Sequence, residues 1–238
     1  MSPIELSILV SRVESVCGEM GAVLQRAAFS PNIKDRLDFS CALFDAKGGL
    51  YAQAAHIPVH LGSMAYAMAD IVSDRDWQAG DVLVLNDPFL GGTHLPDVTM
   101  VAPLFCGGVL LSFVANRAHH ANIGSDTPGS MPVSSSIEEE GIIIPPTFII
   151  RQGEPVDDLD PGLAALMDGP SGGDFSAQLS AVRVGLLRLE SLVIGFSGDK
   201  EGGKTPKSAG EFSNAIKEIN RYGERMAKIM VQQIPNGV

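Results

Sequence analysis

The chain has 238 residues, of which 45% are hydrophobic and 19% charged, a balance that builds a packed core and argues against disorder. Its formal charge of -11 repels a polyphosphate backbone and argues against a nucleic-acid partner. Cys17, Cys41 and Cys106 form an odd set without CxxC spacing, which points away from a disulfide framework and toward a reducing, cytoplasmic setting.

The first element is written in the opening residues. Ser2 can cap a helix, Pro3 fits its first turn and Glu5 can close a capping box. Leu6, Leu9, Val13, Val16, Met20, Val23 and Ala27 then recur at helical spacing, so an amphipathic helix is expected to about residue 28. Its apolar stripe reads as core packing. Glu5 also stands where an export leader would be cationic. Asp38 through Asp45 reads as a strand, Lys47-Gly48-Gly49 as a turn, and Leu50 through Ala54 as the returning strand. Residues 62–74, rich in Ala and Met, read as a helix. Val82 through Leu85 is a short buried strand that ends in Asn86-Asp87-Pro88.

A second hairpin is expected after a Gly-rich loop. Asp97 through Phe105 is its first arm, Gly107-Gly108 its turn, and Val109 through Ala115 its second arm. The Pro-, Gly- and Ser-rich stretch 121–173 reads mostly as loop, with short strands at Ile142–Ile144 and Phe148–Ile150. Helices are expected again at about 174–196 and 211–233, the last with a small basic excess on a solvated face. No run approaches the ~18 apolar residues that a bilayer span needs, so no membrane insertion is expected. The fold class is α+β, with mixed β hairpins or sheet, an N-terminal helix and a C-terminal helical pair.

All five histidines, His56, His60, His94, His119 and His120, lie within about a quarter of the chain. The second hairpin relates two of them to an aspartate. A turn near residue 107 sets Asp97 opposite Arg117 and His119 opposite Leu95, so His94, Asp97 and His119 converge at its open end. Two imidazoles and a carboxylate form a divalent-metal set, and without thiolate the candidate ions are Zn, Mn or Fe(II). The first hairpin brings Asp38, His56 and His60 near its own open end, with Asp38 facing about Pro58. Asp38 is the choice for a fourth ligand, because a second carboxylate helps to neutralise the ion. The chain therefore divides into a metal-binding α+β core over 1–173 and a C-terminal helical segment of the same domain over 174–238.

Plainer readings stand beside these. His56 and His60 are read first as structural residues. His120 points to the opposite face of its strand from His119, and is either a catalytic substrate contact or a satisfied core histidine. Asp87 is either a carboxylate that orients a ligand histidine in the catalytic site or a turn residue. Glu138-Glu139-Glu140 is a solvated run that can also line an entrance. The chain contains neither GxxxxGK[ST] nor GxGxxG, so nothing suggests that it binds ATP itself. It has no GxSxG, and Cys106 in a turn lacks an evident base, which argues against a serine or cysteine nucleophile.

Together these strings resemble the hydantoinase B family, which includes N-methylhydantoinase B subunits, the C-terminal part of 5-oxoprolinases, and the large subunits of acetone and acetophenone carboxylases. The matching text runs from Asp38 through Asp45, His56 through Met64, Asn86-Asp87-Pro88 to His94-Leu95-Pro96-Asp97, and Ala115 through His120. Pro128 through Pro132 and Glu140 through Pro146 complete it. The resemblance implies an enzyme subunit that binds a divalent metal through Asp38, His94, Asp97 and His119. It also implies an A-type ATPase partner with an actin-like fold that phosphorylates a small-molecule substrate, after which this subunit completes hydrolysis of a lactam or hydantoin, or carboxylation of a ketone. The alternative is a non-catalytic assembly module whose metal is structural and whose active half lies on another chain. Typical members of the family are about twice as long, which implies either a separate C-terminal half of the subunit or its loss. Ser125-Asp126 after Gly124, and Glu138-Glu139 before Glu140-Gly141, depart from the family's usual residues at positions that bear on substrate choice.

Overall fold

The capping box forms as its residues require. The Ser2 hydroxyl accepts from the Glu5 backbone N–H at 3.3 Å, and the Glu5 carboxylate accepts from the Ser2 backbone nitrogen at 2.7 Å. This starts α1, Pro3–Ala27. The computed structural model describes residues 1–57, 59–73, 75–125, 127, 129, 133–196 and 206–235. Of the Pro128–Pro132 string only Gly129 lies within the described residues, and Pro58, the expected neighbour of Asp38, lies outside them.

After α1 come α2 (Pro31–Lys34), β1 (Phe39–Asp45), β2 (Leu50–Ala55), α3 (His60–Val72), β3 (Val82–Leu85), β4 (Asp97–Cys106) and β5 (Val109–His119). A 3-10 turn at Ile137–Glu139 precedes β6 (Thr147–Arg151), β7 (Glu154–Pro155), α4 (Pro161–Asp168), α5 (Gly172–Phe196) and α6 (Pro206–Gln232). The seven strands form an antiparallel sheet in the order β2-β1-β5-β4-β3-β6-β7. The α+β expectation, with an N-terminal helix and two C-terminal helices, matches this architecture. Among the described residues no helix is long and apolar enough to cross a membrane.

Alternation along the strands divides the core into layers. Phe39, Cys41 and Leu43 of β1, with Val114 and Ala118 of β5, pack against α1, α5 and α6. Val98, Met100 and Ala102 of β4 pack against α4 and α5. On the other face Ala42, Phe44, Val101, Phe113 and Ala115 meet Met64, Met68 and Ile71 of α3, together with Trp77. Asp38, Ser40, Asp97, Thr99, Arg117 and His119 share the strand parity of this α3 face.

The β4–β5 hairpin turns at Gly107 (φ 58°) and Gly108 (φ 79°), the left-handed pair that a two-residue loop demands. That turn sets Cys106 opposite Val109, and an irregularity between Leu104 and Phe105 slips the ladder once more. The expected register is therefore corrected by two residues: Asp97 faces His119, and Thr99 faces Arg117. A slip of two keeps every side chain on its expected face. Three further expectations shift. Ile142–Ile144 is not a strand but is held beside β3, where the Ile144 N–H donates to Asn86 Oδ1 at 2.6 Å and Asn86 Nδ2 donates to the Ile142 carbonyl at 2.9 Å. Residues 161–168, read as loop, form α4, capped by Asp160. The last helix begins at Pro206, five residues earlier than its period suggests.

Candidate metal centre

The site lies at the ends of three neighbouring strands. β5 sits between β1 and β4, so Phe39 pairs with Ala118 on one side and Val98 with the same residue on the other. One step further along, His119 stands between Asp97, its β4 partner, and Asp38, whose carbonyl accepts from the His119 N–H at 3.0 Å. Nonlocal pairing thus places acid, imidazole and acid in a row. The loop before β4 adds His94, whose Nδ1 is 3.0 Å from Asp97 Oδ2. His119 Nδ1 lies 3.3 Å from Asp38 Oδ2 and 3.5 Å from Asp97 Oδ1, and the His94 and His119 ring centroids are 4.9 Å apart.

The loop carrying His94 is fixed from several sides. Gly92 passes so close to Asn86 that a Cβ there would lie 2.1 Å from the Asn86 carbonyl oxygen. Asn86 is fully buried and its Nδ2 also donates to the Leu95 carbonyl at 2.8 Å. Thr93 Oγ1 donates to Asp97 Oδ2 at 2.6 Å. Arg117 spans the floor of the site: Nε donates to Thr99 Oγ1 at 2.7 Å, Nη1 to Ser63 Oγ at 3.0 Å, and Nη2 to the Gly91 carbonyl at 2.7 Å.

Electrostatics keep Asp97 ionised. Burial by itself raises the Asp97 carboxyl, but the neighbouring His60 and His94 outweigh it and hold the group well below the usual carboxylate range. His94, half-exposed, is raised chiefly by its bond to Asp97, with the Glu140 charge among the smaller contributions. His119 is lowered by burial and so favours the neutral imidazole that ligates metals. Burial also pulls Arg117 down to about 10, against the attraction of Asp97.

The donor set fits a divalent cation. Ligand atoms of His94, Asp97 and His119 lie within 4.8 Å of one another, and so do those of Asp38, His60 and Asp97. Among the described residues, Asp38 Oδ1, His60 Nε2, Asp97 Oδ1 and His119 Nε2 are buried without hydrogen-bond partners. Buried acceptors and donors of this kind are costly unless something binds them. Asp38, His94, Asp97 and His119, the four residues singled out in the sequence, are brought together here.

Other candidates fall elsewhere. His120 is fully buried on the α5 face, where its Nε2–H donates to Gln178 Oε1 at 2.8 Å and its ring meets Phe175 edge-on at 4.7 Å. Its strand parity carries His120 to the face opposite Asp97 and His119, and its Nδ1 is buried there without a hydrogen-bond partner among the described residues. Asp87 serves the turn: Oδ1 accepts from the Phe89 N–H at 2.9 Å and its carbonyl from the Gly92 N–H at 2.7 Å. These bonds match the turn reading, one of the two that the sequence left open for Asp87. His56 packs on Phe39, ring centroids 4.4 Å apart, and takes the structural reading. His60 does not, for it enters the cluster with Nε2 3.3 Å from Asp97 Oδ2. The signal for it was its place at the first turn of α3, but the packing angle of that helix is not written in local sequence.

A family model described as Hydantoinase B/oxoprolinase matches residues 2–238. The chain is 43% identical to 5-oxoprolinase 1 of Arabidopsis thaliana over 183 residues, covering 76% of this chain and 14% of that protein. It is 30% identical to the B subunit of a putative D-/L-hydantoinase from Pseudomonas sp. (strain NS671), covering 100% of this chain and 40% of that protein. The crystal structure of an ATP-dependent caprolactamase from Pseudomonas jessenii superimposes with a TM-score of 0.81 at 27% identity, over 100% of this chain and 40% of that one. The chain thus spans well under half the length of these relatives.

Proposed function

Since the chain belongs to the hydantoinase B/oxoprolinase family, we propose that it is the metal-binding portion of a B-type subunit that completes hydrolysis of a small cyclic amide activated by an ATP-using partner. The observation that carries this reading is the convergence of Asp38, His94, Asp97 and His119 at the ends of three adjacent strands, with unpartnered ligand atoms facing inward. When bound, a Zn, Mn or Fe(II) ion acidifies a water or polarises a carbonyl there. Asp38 and Asp97 supply the two negative charges that balance it. His94, the half-exposed member of the set, marks the side open to substrate, and Glu140 contributes negative charge to that side. Arg117 holds Ser63 and the Gly91 carbonyl in place beside the ligands.

ATP use is assigned to an A-type partner, because the chain has no phosphate-binding loop. The name of the Pseudomonas sp. relative, one subunit of a hydantoinase, and the ATP dependence of the caprolactamase support a two-part system. The buried thiols Cys17, Cys41 and Cys106 support a reducing, cytoplasmic setting. A second reading, a structural metal in an assembly module, draws on the way the ligand set ties β1, β4 and β5 together.

One experiment separates the two. His94→Ala and Asp97→Ala are each expected to remove the bound ion, seen by metal analysis, while far-ultraviolet circular dichroism stays that of the parent. Collapse of the fold in both variants favours the structural reading. Full metal occupancy in both variants sinks the site altogether. For the activity, ATP hydrolysis coupled to opening of a lactam or hydantoin is expected only when the chain is combined with an A-type partner and the remainder of the B-type polypeptide.

A further inference from the structure

His60 is 1% exposed at the start of α3, and both of its ring nitrogens face polar groups. Nδ1 lies 3.3 Å from Ser40 Oγ, while Nε2 lies 3.3 Å from Asp97 Oδ2 and 3.9 Å from Asp38 Oδ1. Nε2 nonetheless has no hydrogen-bond partner among the described residues, although it is buried between two carboxylates. A bare lone pair facing two acids is repulsive unless a cation stands between them. Ser40 offers Nδ1 a partner. With Nδ1–H donated to the Ser40 hydroxyl oxygen, Nε2 is left as the acceptor, the arrangement by which ligating histidines are oriented.

The separations suit an ion shared by His60, Asp38 and Asp97. Donors about 2.1 Å from a cation stand about 3 Å apart at right angles and about 4.2 Å apart when opposed. The distances from Nε2 to the two carboxylates, 3.3 and 3.9 Å, fall between those limits. We infer that His60 is a fifth direct ligand, so that the centre is built from three imidazoles and two carboxylates. This rests on the metal reading of the site and adds to it a donor supplied by α3. Three imidazoles with two carboxylates favour Zn, Mn, Fe(II) or Co(II) over Mg or Ca.

The test uses cobalt(II) as the probe ion, with the isolated chain and its His60→Ala, His60→Asn and Ser40→Ala variants. Visible absorption of cobalt(II) strengthens when a five-coordinate centre becomes four-coordinate. Both His60 variants are expected to bind cobalt at least about 10–100-fold more weakly, as loss of even an outer partner does, and to show the stronger spectrum. Ser40→Ala is expected to weaken binding while keeping the parent spectrum. Circular dichroism identifies a variant that fails to fold, and His60→Asn, which retains a polar side chain of similar reach, guards against that outcome. Parent-like affinity in both His60 variants overturns the inference. Weaker binding with an unchanged spectrum also overturns it, since His60 would then only orient Asp97. Failure of the parent chain to bind cobalt would instead reject the metal centre itself, which separates the two failures.

Discussion

Arg117 brings a guanidinium into the floor of the site, fully buried, and joins three segments that share no local sequence relation: β4 through Thr99, α3 through Ser63, and the Gly91 loop. No carboxylate among the described residues forms an ion pair with it, so its burial depends on neutral acceptors and on the field of Asp97. Arg117→Met is expected to leave those acceptors unpaired and to cost about 3 kcal/mol, read from urea denaturation. Arg117→Lys, which cannot span three acceptors with one ammonium, is expected to fall between the two. A loss under about 1 kcal/mol in the methionine variant would mean that the guanidinium does not hold the loop. At this scale the sequence was informative about residue type and misleading about role. His94-x-x-Asp97 announced a pair that the fold holds in contact, while His120, as notable in the sequence as His119, is buried on the other face and bonded to Gln178.

At the scale of elements, α6 shows how one apolar stripe can have two fates. Ala209, Phe212, Ala215, Ile216 and Ile219 are buried against α1, α5 and the sheet. Further along the same helix Tyr222, Met226, Ile229 and Met230 are exposed. Phe212→Ala is expected to cost about 3–5 kcal/mol. Met226→Ala and Ile229→Ala are each expected to change stability by no more than about 0.5 kcal/mol. Chemical denaturation of the three variants measures the contrast, and equal losses would show that the outer half is packed. Periodicity marked this helix and its solvated character, but could not mark where the core ends along it. The hairpins were legible for a similar local reason: Lys47-Gly48-Gly49 and Gly107-Gly108 permit the backbone reversals. The slip at Leu104–Phe105 was not, because a bulge depends on the fit between two strands and carries no fixed residue signature.

Across the whole molecule the candidate metal centre is a junction. Its candidate ligands come from the ends of β1, β4 and β5, from the loop before β4, and from α3, so a cation held there would bind the folded chain and not the unfolded one. Adding Zn or Mn at about 100 times its dissociation constant is expected to stabilise the protein by about 2.7 kcal/mol. For a chain of this size that corresponds to a rise of about 5–10 °C in melting temperature. Calorimetry with and without chelator measures it, and the effect is expected to vanish in His94→Ala and Asp97→Ala. An identical melting temperature under both conditions would count against the junction.

The amino-acid sequence by itself determined the helices and strands whose apolar periods are strong, the glycine turns, and the choice of Asp38, His94, Asp97 and His119 as candidate ligands that the fold brings together. Those are local properties, set by backbone preference and side-chain chemistry over a few residues. Only the tertiary structure decided that β5 lies between β1 and β4, that His60 joins the acids, and that His120 does not. The cause is burial: strands far apart in the chain pair so as to cover both faces of the sheet at once, and that choice alone fixes which polar side chains share an interior.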